Sequence, residues 1–254
     1  MAGTFYPASA EALGRMVDRM LAEARAPGGP CPKALIVPHA GYVYSGPIAA
    51  SAFARVAPHG ARLSRAVVIA PAHRVALEGV AAPGCDRLRT PLGEIEVDVE
   101  ALAGVPEVGT SAAAHAQEHA VEVELPFLQR VAPRARIVPL VAGRAPPEHV
   151  GAVLDRLWGG PETLVVVSSD LSHYLPYRRA RAVDEATARQ IEAGGPPLLG
   201  EQACGAVGVN GLLHVAGRRE LRIERLDLRC SGDTAGPRDE VVGYGAFALY
   251  EGAA

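Results

Sequence analysis

Four short apolar runs recur along this chain, KALIVP, AVVIAPA, RIVPLV and TLVVVSS, and stretches of helical length or polar turns separate them. Each run is too short for a packed helix and rich in branched residues that suit buried strands. Strands alternating with helices predict one α/β domain over residues 1–254, with a central, mostly parallel or mixed sheet and helices on both faces. The expected order is a helix over 9–25 with Ser9 as N-cap, closed by the break APGGPCP, then strand 33–37, helix 46–57 and strand 65–70. Short strands with turns at Pro83-Gly84 and Pro91-Leu92-Gly93 follow over 77–97, and one long helix over about 115–131. Next come strand 136–141, helix 147–158, strand 163–168 and helices near 178–193 and 200–216. Two closing runs, 220–230 and 240–250, read as an antiparallel pair joined by SGDTAGPRD.

Several of these runs end at a metal-competent or acid–base residue: His39, His73, Asp170 with His173, and Cys230 after ELRIERLDLR. Ligands of open α/β sheets bind outside the carboxyl ends of the strands, so residues far apart in sequence can meet there. Gly41 and Gly46 after His39 suit sharp turns or close backbone approach. His39, His73 and Cys230 form a donor set suited to Zn(II), Cu(I) or Fe(II), with a position left open for water, substrate or dioxygen. Asp170 and His173 read as an acid–base pair, although Asp170 also suits a helix cap. Cys31, Cys85 and Cys204 read as small buried apolar residues.

HAQEH, from His115 to His119, matches a zinc-peptidase pattern in which His115 and His119 share a helix face and Glu118 is the base. Against that, Glu118 and His119 also suit a supporting role in the strand-end pocket.

The bulk numbers restrict function by exclusion. With 254 residues, 49% hydrophobic, 21% charged and a net charge of −3, the chain has neither a nucleic-acid footprint nor a polybasic membrane patch. The start MAGTFYPASAEAL has neither a basic region nor an apolar core of a signal peptide, and no run is long enough to span a bilayer. The cysteines show no CxxC spacing, so a cytoplasmic protein with reduced thiols is expected. Lys33, the only lysine, carries no functional reading at this level.

Six stretches in order, AGTFYPA, PHAGYVYSG, APAHR, EHAVEVELPFLQ, SSDLSHY and CSGDTAG with VVGYGAFALY, together resemble the Memo family, whose prokaryotic members include protein B of the AmmeMemoRadiSam system. The resemblance covers nearly the whole chain. It implies a fold related to class III extradiol dioxygenases of the LigB-like group. Carried over residue by residue, it implies metal ligands at His39, His73 and Cys230, with cysteine where the dioxygenases use glutamate. Asp170 and His173 would be the acid–base pair, with Glu118, His119 and Tyr44 lining the pocket or backing the metal. It further implies Fe(II) or Cu(I), with Zn as a further option, a small phenolic substrate, and partners of the AMMECR and radical-SAM types. Three readings follow: a metal-dependent redox enzyme, a metal-binding or interaction protein without turnover, and the zinc peptidase.

Overall fold

The computed structural model describes residues 1–24 and 28–252. Arg25 at the expected helix end, and Ala26 and Pro27 of the break, lie outside the described residues. The chain opens with α1 (Ala10–Glu23), on which the Ser9 hydroxyl accepts from the Ala12 N–H, and continues into β1 (Ala34–Val37). Then come α2 (Tyr42–Val56), β2 (Arg65–Pro71), β3 (Val80–Ala82) and the hairpin of β4 (Arg87–Thr90) with β5 (Gly93–Glu96). Short α3 (Val99–Ala103), β6 (Val108–Thr110) and α4 (Ala112–Ala116) lead to α5 (Leu125–Val131). The remainder is β7 (Arg136–Ala142), α6 (Pro147–Leu157), β8 (Thr163–Ser168), α7 (Tyr177–Glu192), α8 (Ala206–Arg218), β9 (Arg222–Cys230) and β10 (Gly243–Tyr250).

Eight strands form one mixed sheet in the order β6-β3-β7-β2-β8-β1-β10-β9. The central four, β7, β2, β8 and β1, are mutually parallel, and the apolar runs supply all of them. Their side chains alternate between two cores, as the two-residue period of a strand requires. Leu35, Val37, Val68 and Val166 face α1, α2 and α5, while Ala34, Ile36, Val67 and Val165 face α6, α7 and α8. Burial on both faces explains why these strands read as unbroken apolar runs. The closing pair is antiparallel as expected, with β10 inside and β9 at the edge. Among the described residues, no helix is long and apolar enough to cross a membrane.

Two elements differ from expectation. Helix α2 starts at Tyr42 rather than near 46, so Gly46 is a helical residue, and its missing Cβ makes room for Met20 of α1. Pro47 lies inside that helix, as its sixth residue, and forgoes the N–H bond that position would make to the Val43 carbonyl. The long helix over 115–131 does not form. Instead α4 ends at Ala116, a turn carries Gln117 to Val121, and a single 3₁₀ turn (Glu122–Glu124) precedes α5. Pro126 favours a fresh helix start at Leu125. Upstream, the Glu118 carboxylate takes the N–H groups of His119 and Ala120, at 2.9 and 3.0 Å, and withdraws them from any helical ladder.

Candidate metal centre

Because β1, β8 and β2 are adjacent and parallel, the loops after them open on the same side of the sheet. Pro38 and His39 leave β1, Ala72 and His73 leave β2, and Ser169 and Asp170 leave β8. The non-helical turn before α5 folds over the same edge and adds His119. His39, His73 and His119 each present a nitrogen within 4.8 Å of the others. Their ring centroids are 5.0 to 5.3 Å apart, His73 stacked on His119 and His39 edge-on to both.

The surroundings prepare these rings for a cation. His39 is fully buried, and burial pushes its pKa well below the usual histidine range. Burial also takes His119 down to about 4, so both rings are neutral near pH 7. His39 Nδ1 is tied to Ser168 Oγ at 2.7 Å and His73 Nδ1 to Glu118 Oε1 at 3.0 Å, so each ring turns its Nε2 the other way, that of His39 toward the Cys204 thiol. Glu118 also accepts from the His73 N–H at 2.7 Å, and although burial opposes its charge, this set of donors brings its pKa down to about 2. A carboxylate that fixes one ring nitrogen of a histidine is a usual backing for a metal ligand. Buried His119 Nδ1 has no hydrogen-bond partner among the described residues. Three imidazoles whose nitrogens gather within 4.8 Å of one another, two of them kept neutral by burial, fit a transition metal.

The thiol that contacts these rings is Cys204. Cys204 Sγ lies 3.3 Å from His39 Nε2, on the loop leading into α8. Burial pushes its pKa up to about 12, so it is a thiol that a metal would have to deprotonate. Cys230 is fully buried with Ala180 and Val241, and its Sγ donates to Asp233 Oδ2 at 3.4 Å. Among the described residues the group that could hold an ion contains no cysteine, and Cys230 ends the edge strand β9, three strands across from β8. Cys204, expected to be an inert apolar residue, faces the site instead. Its one sequence cue is Gly205: a Cβ there would lie 2.5 Å from the Ser168 carbonyl oxygen, so only glycine lets this loop seat on the end of β8. Gly205→Ala is therefore expected to destabilise the fold by about 1–3 kcal/mol, as overpacking does, and to move Cys204 off His39. Urea unfolding and thiol accessibility would show both.

Asp170 caps no helix. Its carboxylate accepts from the His39 N–H at 2.8 Å, and burial raises its pKa to about 7. His173 lines the same cavity outside the three-histidine group, its pKa lowered by burial. Tyr44 stands at the wall, partly exposed. Phe5, which sequence reasoning did not single out, stacks on His119 at 4.4 Å and closes the floor. His115 is elsewhere: its Nε2 contacts the Ala81 carbonyl oxygen at 3.0 Å. With the helix broken, His115 and His119 share no face, and the peptidase arrangement is absent. The cavity above the histidines is about 1040 Å³, ample for a small molecule.

A sequence model of the family described as Memo-like protein matches residues 1–248. The chain is similar to a MEMO1 family protein of Methanopyrus kandleri, 33% identical and covering 99% of this chain and 98% of the relative. It is also similar to MEMO1 family proteins of Aquifex aeolicus (32% identical, 96% and 95% covered) and Aeropyrum pernix (34% identical, 96% of each).

Proposed function

The chain belongs to the Memo-like family, and from that premise we propose that it is a metal-dependent redox protein whose ion is held by His39, His73 and His119 with Cys204 as a thiolate donor. The observation that carries this reading is three imidazoles gathered within 4.8 Å of one another beside a buried thiol, at the base of a cavity of about 1040 Å³. Imidazoles with a thiolate favour iron, copper or zinc over magnesium or calcium. A redox-active ion here would supply electron transfer to or from a small molecule in the cavity. A phenolic substrate fits the aromatic walls formed by Phe5, Tyr44, Tyr174 and Tyr244.

The protein's own groups divide the remaining work. His173 lines the cavity, and because burial lowers its pKa its neutral ring is available there as a proton acceptor. Asp170 fixes the His39 backbone through its accepted N–H, and Glu118 fixes His73 and the His119 backbone together. Cys204 would have to lose its proton to serve as a donor to the ion.

The test is metal content after anaerobic purification, followed by oxygen uptake with a panel of phenols. Stoichiometric iron or copper in the wild type, with turnover lost in His173→Gln while the metal remains, supports the redox enzyme. Bound metal without turnover of any phenol favours the binding protein. Absence of metal even after anaerobic reconstitution with iron, copper and zinc refutes the centre. Cys204→Ser should retain the ion with weaker affinity for soft metals, an outcome that competition with a chelator would measure.

A further inference from the structure

Behind His39 a short row of polar groups runs into the core. Ser168, the last residue of β8, is fully buried, and its Oγ meets three partners. These are His39 Nδ1 at 2.7 Å, the Ala120 carbonyl oxygen at 2.9 Å and Glu124 Oε1 at 2.9 Å. A serine hydroxyl has one hydrogen to give and two lone pairs to receive. The Ala120 carbonyl can only accept. If Ser168 gave its hydrogen to His39, that buried carbonyl would lose this donor, at a cost of about 1–3 kcal/mol for a group left unpaired. Giving it to Ala120 or Glu124 obliges His39 to bring its own hydrogen on Nδ1. The opposite ring nitrogen, Nε2, then carries a bare lone pair toward the Cys204 thiol at 3.3 Å.

We propose that Ser168 is a positioning residue that holds His39 as its Nδ1–H tautomer and so reserves Nε2 for a metal ion. Glu124 strengthens the arrangement. It is fully buried, its Oε2 has no partner among the described residues, and burial pushes its pKa well above the carboxyl range. A neutral Glu124 can donate its own O–H to Ser168 Oγ, while an ionised one competes for the serine hydrogen. In either state the serine hydrogen is directed away from His39. The Ala120 carbonyl comes from the same turn as His119, so one hydroxyl joins the loops that carry two of the three imidazoles.

The second half of this inference rests on the metal-centre reading; the tautomer does not, and the experiment separates them. Metal-free protein labelled with ¹⁵N-histidine is examined by long-range ¹H–¹⁵N correlation at pH 7. The wild type should show His39 with a protonated Nδ1 and an unprotonated Nε2, and Ser168→Ala should shift it to a mixture of tautomers. Zinc titration should then show about 10–100-fold weaker binding in Ser168→Ala, the size expected when a ligand loses its outer partner. Ser168→Thr, which restores the hydroxyl, should recover both properties. A wild-type His39 protonated on Nε2, or a tautomer unmoved by Ser168→Ala, overturns the proposal. A tautomer shift with unchanged zinc affinity overturns the reservation of Nε2. Equal losses in the alanine and threonine variants assign the effect to packing and also overturn it. A wild type that binds no zinc refutes the metal-centre reading alone, because the tautomer is read without metal.

Discussion

Alanine at His39 or His119 should strip the metal from the chain, and alanine at Cys230 should leave it bound. The two histidines stand within 4.8 Å of a common point with His73, whereas Cys230 is enclosed with Ala180 and Val241 and hydrogen-bonded to Asp233. Removing a direct ligand should weaken binding by more than the roughly 10–100-fold lost with an outer partner. His115→Ala serves as the control for the peptidase arrangement and should retain the metal, since its ring is spent on the Ala81 carbonyl. Elemental analysis of anaerobically purified variants, backed by thermal melts to confirm folding, decides the matter. Retention of metal in His119→Ala together with loss in Cys230→Ala would restore the ligand set that the family resemblance implied.

A second large effect is expected far from the centre. Lys33 is only 5% exposed, and its ammonium group donates to three backbone carbonyls, those of Trp158, Gly160 and Thr163. It also lies 5.2 Å from the centre of the Trp158 ring. One cation thus gathers the end of α6 and the start of β8 beside the start of β1. Lys33→Met keeps most of the apolar stem and removes every donor. Each buried carbonyl left without its partner costs about 1–3 kcal/mol, partly offset because the charged group no longer needs to be desolvated. We expect a net loss of about 3 kcal/mol, read from urea unfolding at pH 7. A loss below about 1 kcal/mol would show that water replaces the ammonium without penalty.

The metal-free protein should also weaken in mild acid, with His119 as one cause. Its folded pKa of about 4 lies below the roughly 6.5 of an unfolded histidine. Between those values the unfolded chain binds the extra proton, so stability is complete above about pH 6.5 and falls as pH drops toward 4. Asp170 acts in the opposite sense over nearly the same window: its folded pKa of about 7 exceeds the roughly 3.9 of an unfolded aspartate, so its contribution is complete below about pH 4 and is lost as pH rises to 7. His119→Gln should therefore remove a rise in stability between about pH 4 and 6.5 in chelator-treated protein, and Asp170→Asn a fall between about pH 4 and 7. Denaturant midpoints measured from pH 4 to 8 would show each.

Much of this was legible along the chain. Unbroken apolar runs suit strands covered on both faces, so KALIVP, AVVIAPA, RIVPLV and TLVVVSS pointed to the strands of a parallel or mixed centre, though not to their order. Strand ends also located His39, His73 and Asp170, because the carboxyl edge of such a sheet is where loops converge. The rest depended on contacts that no local pattern encodes. A five-residue helical spacing suggested that His115 and His119 act together, but Glu118 binds backbone N–H groups of the intended helix and the turn rotates His119 alone into the site. The sequence favoured Cys230, which ends a strand-like run, and read Cys204 as a small buried apolar residue. Cys230 follows an edge strand, several strand spacings from β8, while Gly205 presses the Cys204 loop onto the end of β8. The sequence by itself determined the layers of the fold and the edge on which chemistry would collect, since period and burial are local properties. Which thiol and which third histidine reach the centre was decided by tertiary structure, because lateral strand order and loop seating depend on residues more than a hundred positions apart.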